Sequence, residues 1–188
     1  MIDIALNRLQ SELEAYLTTL TPVRPVKLGN VALLESSTGN GADELSDTVI
    51  ITLVNIEEES SLKNALNFRR TPLGGIAYEN PPVYLNLYLL FTANFTRYDV
   101  SLMLLRRIIQ FFQGQNNFIF ANEEGEIQLT LDLYTMTFEQ INHLWGSLGG
   151  KQIPFVMYKA RLVSITEHRT LGTGRVIEVI EEYDKLLK

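Results

Sequence analysis

Two histidines are the first candidates for acid–base or metal chemistry. His143 stands beside Leu144 and Trp145 in a stretch with helical spacing, and His168 follows Thr166-Glu167 in a polar turn. Neither belongs to an HExxH pair or has a third ligand at metal spacing, so they read as a helix-surface imidazole and a loop residue. Glu57-Glu58-Glu59 is an acid run at the end of an apolar stretch. Consecutive strand residues point to opposite faces and cannot converge on one ion, so the run reads as a solvated strand end. Glu126 and Asp132 would lie about 20 Å apart along an extended strand, too far to share a bond-cleavage step. Gly39 and Gly41 lack the lysine that a phosphate-cradling P-loop places after its glycines. There is no GxSxG elbow, no GxGxxG after a strand, and no cysteine. The sequence thus predicts no catalytic, cofactor-binding or metal site, and a protein that is not an enzyme.

The strongest pattern lies instead between Pro81 and Gly114. Val83, Leu85, Leu87, Leu89, Phe91 and Ala93 alternate with Tyr84, Asn86, Tyr88, Thr92 and Asn94, the period of a strand with one aliphatic face. Thr96 reads as a helix N-cap with Asp99 as its capping-box acid and Phe95 and Val100 as a staple. The helix that follows, ended by Gly114, is apolar almost all round and needs cover on more than one side. A second box is predicted at Thr137 and Gln140, with Met136 and Ile141 as staple. It opens a short helix carrying Phe138, Ile141, Leu144, Trp145 and Leu148, terminated by Gly149-Gly150.

Around these, residues 2–20 place Ile2, Leu6, Leu9, Leu13, Tyr16 or Leu17, and Leu20 at helical spacing. Val26 to Glu35 reads as a strand with a bend at Gly29-Asn30, 36–46 as a loop, and Thr48 to Glu57 as a central strand apolar on both faces. Residues 60–80 show no period, yet hold apolar anchors beside Arg69 and Arg70, so they read as an ordered excursion that contacts something. Gln115 to Gly125 reads as a turn region with a short apolar piece. Glu126 to Tyr134 is a strand with Ile127, Leu129, Leu131 and Leu133 inward, and Pro154 to Thr166 another with Val156, Tyr158, Ala160 and Leu162 on one face. Gly172 and Gly174 mark a turn before an extended Arg175 to Tyr183. The predicted class is α+β, a mainly antiparallel or mixed sheet flanked by helices.

A chain of 188 residues, 46% hydrophobic and 20% charged, is expected to form one domain over 1–188, with 174–188 as an interaction arm. The net charge of −6 argues against a nucleic-acid partner. No apolar run approaches the roughly 20 residues a bilayer requires, and the acidic N-terminus reads as neither signal peptide nor membrane span. What is unusual is sticky surface: the all-apolar helix, the anchored excursion, and a last strand that is β-branched on both faces. Arg69, Arg70, Arg175, Val176, Ile177, Val179 and Ile180 are the candidate interaction residues. The final strand can add to another chain or pair within its own sheet; the sequence leaves both readings open.

The words NPPVYLNLYLLFTANF, RIIQFFQG, LTLDLYTMTFEQINHLWGSLGGK and PFVMYKARLV, with the opening MIDIALNRLQSELEAYL and the strand TLVNIEEE, resemble one family. It is the tail-terminator or cap protein of extracellular contractile injection systems, phage-tail-like particles of the virulence-cassette and antifeeding-prophage type. The resemblance spans nearly the whole chain, interrupted at 36–47 and 60–78. It implies a homohexameric ring at the end distal to the baseplate. There the ring would cap the inner tube protein, bind the last ring of sheath protein and stop polymerisation. It implies no catalytic residues and no cofactor, and a protein made in the bacterial cytoplasm and incorporated into a particle that can be released. Some members carry an added C-terminal domain, whose function is expected to be absent from a chain ending at Lys188. The alternative of a different class is a small-molecule-binding or enzymatic α+β domain with a pocket that the sequence does not advertise.

Overall fold

A computed structural model describes residues 1–20, 25–35, 45–59, 68–70, 76–79, 83–122, 125–165 and 170–174. Helix α1 (Ile2–Leu20) leads into strand β1 (Val26–Leu28), a 3-10 turn (Val31–Glu35) and strand β2 (Thr48–Glu58). Short strands β3 (Phe68–Arg70) and β4 (Ile76–Glu79) precede the long β5 (Val83–Asn94) and helix α2 (Tyr98–Gly114). A hairpin of β6 (Asn117–Asn122) and β7 (Gly125–Leu133), helix α3 (Phe138–Ser147), β8 (Phe155–Ile165) and β9 (Thr170–Gly174) follow. The main sheet has six strands in the order β1-β2-β5-β8-β7-β6; a second has the order β3-β4-β9. Among the described strands only β1 and β2 pair in parallel, so the class is α+β with a mixed sheet, as the sequence predicts.

Strand β5 lies at the centre because it is apolar where both neighbours are. Leu87, Leu89, Phe91 and Ala93 are buried in one cluster with Val49 and Ile51 of β2, Ala160 and Leu162 of β8, and Ile127 and Leu129 of β7. Helices α1 and α2 close this face through Leu9, Leu13, Leu17, Leu104, Ile108 and Phe112. Aromatic rings lock it edge to face, Phe91 lying 5.1 Å from Phe112 and 5.6 Å from Tyr158 between ring centroids. The opposite face is smaller: Leu90, Met157 and Val31 pack with Trp145 of α3, whose ring meets Phe155 at 5.5 Å.

Several local expectations need correction. Val26 to Glu35 is not one strand. The Thr52 hydroxyl donates to the Gly29 carbonyl at 2.6 Å and accepts from the Val31 amide at 3.2 Å, taking groups that a longer ladder would have used. Asn30 Oδ1 accepts from the Ala32 amide at 3.0 Å and turns the chain into the 3-10 segment. The piece read as a turn around Phe118 is strand β6, paired in register with β7 from Asn117↔Thr130 to Asn122↔Gly125. Its six residues are too few to show a period. Gly172 and Gly174 are not a turn; they pair with Tyr78 and Ile76 as part of β9, since main-chain pairing needs no side chain. The unpatterned stretch 60–80 contains two strands, β3 and β4, and its remaining residues lie outside those described.

Thr96 does not cap α2. Its backbone N–H is held by Asp47 Oδ1 at 3.0 Å, from a turn in which Asp47 adopts a left-handed φ of 49°. Arg97 takes the N-cap position without a side-chain cap, and its guanidinium closes on Asp99. The Asp99 carboxyl, bonded first to Arg97, is pulled below its ordinary pKa and is not available to the N-cap amide. At Thr137 the predicted box is complete. Thr137 Oγ1 accepts from the Gln140 amide at 3.3 Å, and Gln140 Oε1 accepts from the Thr137 amide at 2.9 Å. Beyond Leu148, Gly149 and Gly150 take φ of 112° and 90°, and the Gly150 amide returns to the Trp145 carbonyl at 2.7 Å.

Candidate interaction surfaces

Polar side chains line up on one face of the main sheet. Its rows run Asn55–Tyr88–Lys159–Asp132 and Glu57–Asn86–Arg161–Thr130 across four strands. Tyr88 donates to Glu57 Oε2 at 2.8 Å, and Asn86 Nδ2 donates to Glu59 Oε2 at 2.9 Å. Glu57 and Glu59 therefore serve two β5 side chains from one face, and Glu58 alternates away. Burial, then the hydrogen bond to Glu57, pushes the Tyr88 phenol up to about 12. Asp132 is exposed, and no described group of three His, Asp or Glu residues lies at metal-binding distance. His143 is exposed on α3; His168 lies outside the described residues.

Large apolar side chains stand exposed at several places among the described residues. Helix α2 is apolar almost all round in sequence, and it covers the sheet with Leu104, Ile108 and Phe112. It leaves Tyr98, Leu102 and Ile109 out, Tyr98 at 65% exposure. These recur at i, i+4 and i+11, one outward stripe. Leu133, expected inward, is 57% exposed, at the rim of a hollow that it shares with Ile109 and Phe112 of α2 and Tyr158 of β8. Phe138, expected on the buried face of α3, is 92% exposed. Ile141 and Leu144 of the same helix, and Leu148 just after it, do pack in the cluster with Trp145. The outward positions of Leu102, Ile109, Leu133 and Phe138 could not be read from spacing, which gives the apolar side of an element but not where its neighbour stops.

Arg69 and Arg70 sit on β3, opposite Ala77 and Ile76 of β4. Arg175, Val176, Ile177, Val179 and Ile180 lie outside the described residues, so neither reading of the last strand is decided. Among the described residues no helix is long and apolar enough to cross a membrane.

The profile of the Pvc16 N-terminal domain matches residues 6–178. The chain belongs to that family. The terminator resemblance read from the sequence is met at the level of fold as well. A PVC sheath/tube terminator of an extracellular contractile injection system, in its extended state, superposes with a TM-score of 0.66 at 14% identity, over 98% of this chain and 64% of that one. The tube-terminating cap of the anti-feeding prophage gives 0.63 at 12% identity, over 97% of this chain and 61% of that one. At such identities the likeness is one of fold, and the chain spans less than two thirds of either protein. No curated protein matches the chain in sequence.

Proposed function

We propose that this protein is a structural terminator. It closes the distal end of the tube and sheath of a contractile injection system and stops their polymerisation. The observation that carries the reading is the fold, shared over 98% of the chain with a sheath/tube terminator. The surface agrees with it: exposed apolar side chains lie on α2, β7 and α3, and the described polar groups bond one another across the sheet instead of converging on a cavity. In this reading the protein is not an enzyme and needs no cofactor.

The finer form of the proposal is a homohexameric ring made in the bacterial cytoplasm, seated on the last layer of inner tube protein and gripping the last ring of sheath protein. The whole of 1–188 acts as one terminator domain. Arg69 and Arg70, with Arg175, Val176, Ile177, Val179 and Ile180 on the terminal arm, contact a neighbouring subunit. A cyclic assembly of this kind uses head-to-tail contacts that close only at the right rotation.

The test is removal of the protein from cells that build the particle. Sheath and tube lengths measured by electron microscopy should become broad and should return to one value when the gene is restored. An unchanged, narrow length distribution without the protein would overturn the proposal.

A further inference from the structure

Four of the exposed large apolar residues belong to one surface. Tyr98, Leu102 and Ile109 run along the outside of α2, and Leu133 of β7 meets Ile109 at the rim of a hollow beside the end of that helix. Arg106 is exposed in the same stripe, one helical turn from Leu102 and one from Ile109. It forms no ion pair among the described residues. Helix α2 holds a single acid, Asp99, and Arg97 already engages it. In a chain with 22 acidic and 16 basic residues, this arginine is left without a carboxylate and ringed by apolar side chains. The hollow holds a second unmet group. Its volume is about 260 Å³, and Gln113, Asn116 and Tyr158 line it. Tyr158 is only 3% exposed, and its hydroxyl has no hydrogen-bond partner among the described residues.

We infer that this stripe docks another protein, one that presents a carboxylate surrounded by aliphatic side chains. Tyrosine and arginine are the residue types that anchor such contacts, and a guanidinium meets a carboxylate in a paired, charge-assisted geometry. Apolar residues around the pair keep water from it. The partner's hydrogen-bonding side chain at the hollow satisfies Tyr158. The charge pattern selects against other occupants. Two copies meeting face to face across the stripe would set Arg106 against Arg106. An anionic membrane would attract one arginine and repel a chain of net charge −6. The inference deepens the proposed terminator role, and the choice of probe proteins rests on that reading.

The test uses the full chain against the purified tube and sheath proteins of its particle, immobilised separately. One of the two should bind. Arg106→Glu should weaken that binding by about tenfold or more, and Leu102→Ala and Tyr158→Phe by several-fold. Arg106→Lys should keep part of the affinity, and added salt should weaken the wild type more than Arg106→Ala. Ile119→Ala, exposed on β6 and off the stripe, should bind as the wild type does. Circular dichroism should be unchanged for the Arg106 and Leu102 variants, because both side chains lie exposed. No binding to either protein, or binding that Arg106→Glu leaves intact, would overturn the surface. So would self-association that Arg106→Glu abolishes, which makes the occupant a second copy, or binding only to phosphatidylserine vesicles. Irregular sheath lengths in the deletion strain, with binding untouched by Arg106→Glu, would remove this surface and leave the terminator role. Uniform lengths there, with binding lost in Arg106→Glu, would do the reverse.

Discussion

Replacing Thr137 with alanine removes one of the two bonds of the α3 capping box and leaves the Gln140 amide without its acceptor. The site is exposed, so water takes up part of the loss, and the cost should be about 1 kcal/mol. Thr96→Ala should cost far less, because the Thr96 side chain caps nothing and the bond from its backbone N–H to Asp47 survives the change. The pair separates two sites that look alike in sequence. In urea, with a slope of about 2–3 kcal/mol/M for a domain of this size, Thr137→Ala should lower the midpoint by on the order of 0.4 M. The melting temperature should fall by about 2–4 °C. Thr137→Ser, which keeps the acceptor, should recover most of the loss. Equal destabilisation by the two alanine variants, or a larger effect at Thr96, would refute the assignment of the caps.

Leu104→Ala should cost about 3 kcal/mol in the same denaturation assay, because Leu104 is fully buried between α2 and the sheet and its removal leaves a cavity; Leu102→Ala, on the exposed stripe, should be close to neutral. Tyr88 gives a pH prediction. Its folded-state pKa is raised from the ordinary 10.0 to about 12, so its contribution to stability is complete below pH 10 and is lost as pH climbs towards 12. Tyr88→Phe should flatten that part of the stability–pH curve, and the variant should lose one late-titrating phenol from the tyrosinate absorption while keeping that of Tyr158, which burial also raises.

The parts of the fold that sequence made legible are those with long, undisturbed periods. Strand β5 forms where the alternation runs and turns Leu87, Leu89, Phe91 and Ala93 to the core, although Asn86, Leu90 and Thr92 of its other face are buried too and Val83 is 42% exposed; α1 buries Leu6, Leu9, Leu13 and Leu17 as spaced, with Ala5 added. The Thr137 box could be read because both of its bonds are local. The Thr96 box failed because Asp47, forty-nine residues earlier, claims the amide, and Arg97 claims the acid. Short strands such as β6 and β9 were missed because their pairing partners, not their own residues, make them strands. The apolar surface is visible in the sequence as an excess of hydrophobic residues, but its location depends on which of them a neighbouring element covers, and spacing does not give that. Phe138 shows the limit most clearly: its spacing places it with Trp145, yet it is 92% exposed.

The central claim, that this chain ends a contractile particle, is tested most directly by averaging electron micrographs of particle ends. Density fitting this fold is expected at the end distal to the baseplate and nowhere else, as a closed ring of six copies in contact with both tube and sheath. Density for the chain along the whole sheath or at the baseplate, or particles with fully formed distal ends that lack it, would contradict the account.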